Sequence, residues 1–365
     1  MPSPSEVAPR HAGLTRLRFV FIGWVVLYHL DILLRATEFL PWLSPVLGAG
    51  YLGVDGFFLL SGFALWLGYG AKPPVGWEGA KRFLLRRVAK IWPLHALALL
   101  VLAALVGTAA ALGAEIREPD RFDLRNFLLQ LGLVHAWETT SRHAWNSPSW
   151  ALSVEWAGYL AFPLAIHALR KAPRGAVPAV LLLASAGLCA LGSHAPEVGL
   201  NYTLHLGLVR FGLEFCMGLA LGRLATEHRL PPALALAGTA ALPARLALDS
   251  DPMAVMGLAA VIAAVWQRGG TQPEAARLDL PLRLGEASFG IYMSWVFTEA
   301  ALVGALRLTE PGEAGRVLLM AAGFLATLLS GWLAWRFVEA PAHRWLLHRA
   351  APAPRRLKPV PAPLG

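Results

Sequence analysis

Charge is what this 365-residue sequence has least of: Asp, Glu, Lys and Arg together make up 15%, against 56% hydrophobic residues. A soluble globular chain of that length carries far more charge, and the mean hydropathy of +0.52 reads as an integral membrane protein. Cysteine is nearly absent. Cys189 and Cys216 both fall inside apolar stretches with no Cys-x-x-Cys or Cys/His spacing, which excludes a disulfide framework and a thiolate metal site and leaves them as small packing residues. No metal centre is expected. The sequence also lacks an internal repeat, inverted halves and any stretch polar enough to make a soluble domain. The excess of positive charge, +9, suggests nucleic acid only until the basic residues are located along the chain.

Apolar segments long enough, or nearly so, to cross ~30 Å of hydrocarbon occur at 17–34, 50–70, 88–112, 149–169, 176–192, 204–223, 232–248, 253–267, 284–306 and 314–337. Segment 124–137 is an amphipathic runner-up, interrupted by Gln130 and His135. Basic residues collect on the cytoplasmic side of membrane proteins. With the N-terminus inside, the inner segments hold 23 of the 32 Lys and Arg, the outer loops hold eight, and Arg210 lies within a span. The expectation is an all-α, polytopic integral membrane bundle of about ten transmembrane helices with both termini cytoplasmic. Nucleic acid is not an expected partner; the lipid bilayer is. Arg10, Arg16 and Arg18 ahead of an apolar run resemble a signal peptide, but the run contains His29 and Asp31 and no small-residue cleavage pattern, so it reads as a retained first span. Residues 1–345 form one transmembrane domain, and 346–365, rich in Pro and basic residues, a cytoplasmic tail expected to be disordered near anionic lipid. The longest outer loop, 113–148, is the extramembrane stretch large enough to shape a binding site.

Polar residues inside such segments need a reason. Arg18 and His29 stand eleven residues apart. On a helix that spacing brings both to nearly one face, roughly 16 Å apart along the axis. Gly50, Gly53 and Gly56 recur every three residues and offer a smooth face for close helix packing. Asp55 among them is either solvated at the membrane edge or paired with a cation. Ser61, taken alone, reads as a hydroxyl returned to its own backbone. Lys81, Arg82, Arg86, Arg87 and Lys90, followed by Pro93, are either a topology signal or, with Arg18, a cationic mouth suited to the phosphates of a nucleotide-bearing ligand; His95 reads as packing or capping. Ser147 and Pro148 mark a helix start, placing Glu155 roughly 10 Å below it, where His29 is its natural partner: a carboxylate beside an imidazole orients a base and stabilises its cation. Arg210 and Glu214, four apart, read as a self-neutralising ion pair, and Glu339 as a helix-end ion pair near Arg336.

Taken together these segments resemble the membrane-bound acyltransferase 3 family, which includes bacterial O-antigen and exopolysaccharide O-acetylases. The resemblance rests on Arg18 and His29 as Arg-x10-His, GVDGFFLLSGF at 53–63, RRVAKIWPLH at 86–95, SWALSVEW at 149–156, RFGLEF at 210–215, LGEASFGIYM at 284–293 and FVEAP at 337–341. It departs from the family pattern at Thr15 and Arg16, at Trp156, and at Trp295, where many relatives carry a histidine. The resemblance implies an O-acyltransferase that moves an acyl group, usually acetyl, from cytosolic acyl-CoA to a hydroxyl of a carbohydrate or glycolipid acceptor, with acyl-CoA as co-substrate and no permanently bound cofactor. It further implies catalytic roles for His29, Ser61 and Glu155 and a location in the inner, cytoplasmic membrane of the cell. A thioester is already activated, so the enzyme must mainly bring a hydroxyl to it and remove one proton. His29 is then the general base, steadied by Glu155, while Arg18, Arg86, Arg87 and Lys90 hold the CoA phosphates. An acyl-His29 or acyl-Ser61 intermediate is an open variant. The rival readings are a secondary transporter or flippase of the same topology, which buried His, Arg and Glu also suit, and a catalytically silent partner subunit.

Overall fold

The first helix, α1 (Ala12–Leu34), begins where His11 accepts a hydrogen bond from the Leu14 N–H, and ends at Arg35, whose left-handed backbone (φ 56°) returns its N–H to Asp31 O. Such caps satisfy the backbone groups that a helix end leaves unpaired. Asp31 fixes the following turn by accepting from the Thr37 N–H and hydroxyl at 2.9 and 2.8 Å. In the computed structural model, residues 11–113, 115–116, 118–248, 250–269 and 279–350 are described. Arg10, Arg117, Arg277, Arg355, Arg356 and Lys358 of the charge count lie outside them, as does the expected tail from 351 onward.

The remaining helices are α2 (Ser44–Leu47), α3 (Leu52–Tyr69), α4 (Gly76–Ala111), α5 (Leu124–Leu131), α6 (Ser149–Lys171), α7 (Ala176–His194), α8 (Gly207–Glu227), α9 (Pro232–Leu248), α10 (Asp251–Gln267), α11 (Leu280–Glu286), α12 (Ser288–Thr309), α13 (Glu313–Ala334) and α14 (Ala340–Ala350). A helix falls on each apolar segment expected to cross the membrane, and no strand occurs among the described residues. Among the described residues, seven helical stretches are long and apolar enough to span a bilayer, from Ala12–Leu34 to Glu313–Arg349. The protein is an all-α polytopic membrane bundle. Three boundaries depart from the sequence reading. Helix α4 starts at Gly76, so the basic cluster rides on the helix itself. The amphipathic segment 124–137 yields only the eight-residue α5. A π-helical turn at Trp335–Glu339 joins α13 to α14, and α14 carries the chain into residue 350.

Glycine sets the tightest contacts. A Cβ at Gly62 would collide with the Phe215 carbonyl, and one at Gly218 with the Leu59 carbonyl, so α3 and α8 touch backbone to backbone. Gly50, Gly53 and Gly56 bring α3 equally close to Trp24, Tyr28 and Phe21 of α1, as their spacing predicts. The two cysteines are free and exposed on the outer flanks of α7 and α8, not packed inside as expected, because their positions fall outside the buried stripe of each helix.

Candidate active site

Five of the seven predicted site residues, Arg18, Ser61, Arg87, Lys90 and Glu155, line one cavity of about 460 Å³ formed by α1, α3, α4, α6, α11 and α12. A larger cleft of about 640 Å³ lies where α8, α9 and α10 end, around Thr226–Ala235 and Ala264–Arg268, and holds none of them.

Ser61 does not return its hydroxyl to its own helix. It donates to Glu155 Oε1 at 2.6 Å, and Tyr159, one turn further along α6, donates to the same oxygen at 2.7 Å. The spacing of 155 and 159 puts acid and phenol on one helix face. Arg87 enters among aromatic rings, its guanidinium carbon 6.0 Å from the Tyr69 centroid, 5.2 Å from Phe83 and 5.5 Å from Tyr159; those distances fit cation–π attraction. Its Nε is buried with no hydrogen-bond partner. Lys90 meets Glu339 at 3.3 Å, so Glu339 joins this site and not Arg336, which is exposed on another face of the π turn. Arg18 lies within electrostatic reach of Glu155, Arg87 and Glu339. Neither Arg18 nor Arg87 forms an ion pair with a carboxylate among the described residues. Two cations without a close anion and a third on a single carboxylate make a cavity suited to a phosphorylated ligand. Arg86 is exposed and does not line it, since 86 and 87 point about 100° apart on a helix.

His29 stands apart from this cluster. Its Nδ1 lies 2.8 Å from the Val25 carbonyl. A carbonyl only accepts, so Nδ1 carries the proton and Nε2 keeps its lone pair. The imidazole packs against Trp295 at 5.7 Å between centroids and edge-on to Tyr28 at 5.1 Å. The expected pairing of His29 with Glu155 is not formed: Glu155 Oε1 is taken by two hydroxyls and His29 Nδ1 by its own helix. Counting turns from one helix start placed the two residues at similar depth, but a helix's tilt and facing are set by its neighbours.

Near His29 the long loop after α4 folds back over the bundle. Gln130 donates to Ala144 O at 2.5 Å and accepts from the Asn146 N–H at 3.2 Å; Ser149 reaches Asn146 O at 2.7 Å and His135 at 3.1 Å; Ser153 donates to Leu133 O at 2.9 Å. His95, buried as expected, closes on Gln130 O at 2.8 Å. Sequence reasoning missed this network, although two serines four apart in SWALSVEW were the available signal. His143, in the same loop, lies 3.2 Å from the Thr203 hydroxyl, with Asn201 donating to the Tyr28 hydroxyl nearby at 3.2 Å. Burial lowers the pKa of His143, and the charges of Arg121 and His29 lower it further, which places this loop within reach of His29.

The buried Arg210 keeps the expected ion pair with Glu214 only at long range, and its close partner is Asp55, which takes the second of its two expected states, pairing with a cation. Its Nε and Nη2 reach the two oxygens of Asp55 at 2.9 and 2.5 Å, whereas Glu214 stays 3.8 Å away with both oxygens unbonded. Asp55 and Arg210 are both 0% exposed. The close approach of α3 to α8 presents Asp55 squarely to the guanidinium fork, which a residue four along the same helix reaches only from the side.

Comparison with known proteins bears directly on this arrangement. A family model described as an acyltransferase domain, of the acyltransferase 3 type, matches residues 11–336. Acyltransferase MdmB of Streptomyces mycarofaciens is 36% identical over 126 residues, which cover 34% of this chain. The match spans 30% of that relative's own length. No solved structure matches the chain. The family match runs through the cation-lined cavity, the Ser61–Glu155 contact and His29 alike, and the chain belongs to the acyltransferase 3 family of membrane acyltransferases.

Proposed function

We propose that this membrane acyltransferase takes an acyl group, acetyl foremost, from cytosolic acyl-CoA and places it on a hydroxyl of a carbohydrate or glycolipid acceptor. The distribution of basic residues supports an orientation with Arg18 toward the cytosol and His29 toward the outer face of the inner membrane. CoA phosphates would sit on Arg18, Arg87 and Lys90, and the pantetheine arm would run along α1 toward His29, roughly 16 Å away by helix rise. Nε2 of His29 takes the proton of the acceptor hydroxyl as that oxygen attacks the thioester carbonyl. The C–S bond breaks, and the proton passes on to the leaving thiolate. With no carboxylate bonded to His29 among the described residues, the imidazolium is stabilised by the Val25 carbonyl and by the tilted ring of Trp295. Glu155, held by Ser61 and Tyr159, offsets Arg18 and Arg87 and keeps them extended along the cavity wall.

The observation that carries this reading is the 2.8 Å contact of His29 Nδ1 with the Val25 carbonyl, which leaves Nε2 to act as base at the far end of a helix whose near end enters a cationic cavity. The test is mass spectrometry of envelope polysaccharides and glycolipids from cells with the parental chain, without it, and with His29→Ala. Loss of one acyl mass in the latter two, at unchanged membrane level of the variant, is the expected result, since a general base contributes about a hundredfold or more. Acylation at the parental rate by His29→Ala would remove His29 from the chemistry.

A further inference from the structure

The cavity that would hold the donor and the imidazole that would act on it share two helices, α1 and α12, and Trp295 of α12 stands against the imidazole at the His29 end. On α1, Ile22 and Val25 lie between Arg18 and His29 at helical spacing, and both are buried. On α12, Ser288, Phe289 and Tyr292 line the cavity. Trp295 follows Tyr292 by three residues and Ser288 by seven, which returns it to the same face. Its ring rests against His29. It is 4% exposed and packs in one cluster with Ile22, Val26 and Leu30 of α1 and with Ile291 and Leu328. The indole thus fills the space between α1 and α12 at the level of the reacting imidazole.

We infer that Trp295 is the specificity-determining residue for the acyl chain, closing the space beyond the thioester carbonyl so that only a short acyl group fits beside His29. The inference rests on the acyl-CoA reading above and deepens it. A thioester carbonyl in position for attack by a hydroxyl that His29 deprotonates must lie within a few ångströms of Nε2, and the indole packed against the same imidazole bounds the space left for its acyl carbons. Interiors are close-packed, and extra methylenes forced against a fixed ring are strongly disfavoured. Removal of the indole opens a void lined by aliphatic side chains, which added methylenes can fill.

The experiment uses the full chain purified in lipid nanodiscs and measures binding of CoA, acetyl-CoA, butyryl-CoA and hexanoyl-CoA by calorimetry. The parent is expected to bind acetyl-CoA most tightly of the three thioesters, with affinity falling as the chain lengthens. Trp295→Ala should invert that order, each added methylene that enters the void tightening binding by about fourfold. Trp295→Phe should fall between the two. CoA itself, which has no acyl group, reports whether each variant is folded, and Trp295→Leu serves if the alanine variant fails that control. An unchanged order of the three thioesters in variants that still bind CoA overturns the inference alone. A parent that binds neither CoA nor any thioester overturns the donor reading, and this inference falls with it.

Discussion

Ser61 and Glu155, 94 positions apart in the chain, share a hydrogen bond of 2.6 Å that ties α3 to α6 inside the cation-lined cavity. A charge-assisted bond of this kind is stronger than a neutral one, and it makes the two residues one functional unit. Ser61→Ala and Glu155→Gln should therefore be strongly non-additive: the double variant should lose little more acyl transfer than the worse single one, with a coupling of about 1–3 kcal/mol. A double-mutant cycle on transfer rate and on thermal midpoint measures it. Additive losses would separate their roles.

The cations of the cavity make distinguishable predictions. Arg18→Gln and Arg87→Gln should each raise the KM for acyl-CoA by about ten- to a hundredfold, from loss of a charged hydrogen bond worth roughly 1.5–3 kcal/mol, with a smaller effect on kcat. Both should flatten the salt dependence of donor binding. Arg86→Gln, one residue from Arg87 but exposed and off the cavity, should change neither. Steady-state kinetics at low and moderate salt would decide, and an Arg86 variant as impaired as Arg87 would remove the cavity from donor binding.

The Asp55–Arg210 pair predicts a stability effect in place of a catalytic one. Removal of one partner leaves the other as an uncompensated buried charge, which costs about 3–5 kcal/mol. Arg210→Met should therefore lower the thermal midpoint sharply, and Asp55→Leu on top of it should recover much of the loss, because two apolar groups replace two charges. Scanning calorimetry of the parent and these two variants in one lipid system would show the recovery. Equal midpoints for Arg210→Met and the double variant would show that Asp55 is not the buried charge that removal of Arg210 leaves uncompensated.

These contrasts mark what was legible beforehand. The class, the helix positions and the residues that needed partners follow from hydropathy and from the cost of polar groups in lipid, which are local properties of the sequence. The glycine triplet at 50–56 correctly announced a close contact, because absence of a side chain has the same consequence wherever the partner lies. Partner identity was not legible. Depth along one helix fixed Glu155 to within a few turns, but the tilt of α6 against α3 decided that it meets Ser61 and not His29. Arg210 had an acid four residues away on its own helix, and only the α3–α8 approach made Asp55 the better fork partner. Lys90 and Glu339, 249 positions apart, meet because α14 returns beside α4, and no periodicity encodes that. The loop over His29 reads in the sequence as an outer stretch large enough to shape a binding site, but nothing in its composition announces that Gln130, His135 and Asn146 are buried.

That loop carries the clearest pH dependence. His135 lies between α5 and α6, 3% exposed, with Nε2 at 3.1 Å from the Ser149 hydroxyl and Nδ1 buried without a partner. Burial pushes its pKa down to about 3, with smaller contributions from His95 and His143. In the opened loop it should titrate near its ordinary value of about 6.5. The packed state therefore binds the proton less readily than the opened one, so acid favours opening. The loop's closed form is fully stabilised above about pH 6.5 and loses stability steadily as pH falls from there toward 3. Hydrogen exchange across residues 132–148 should accordingly accelerate between about pH 7 and pH 4.5, after correction for the intrinsic pH dependence of exchange, by far more than exchange in α3 or α8. His135→Gln keeps a polar group facing Ser149 but has no proton to gain, and should flatten that acceleration. Protection of the loop that stays constant with pH in the parent, or that falls equally in the glutamine variant, would show that His135 is not what holds the loop shut over His29.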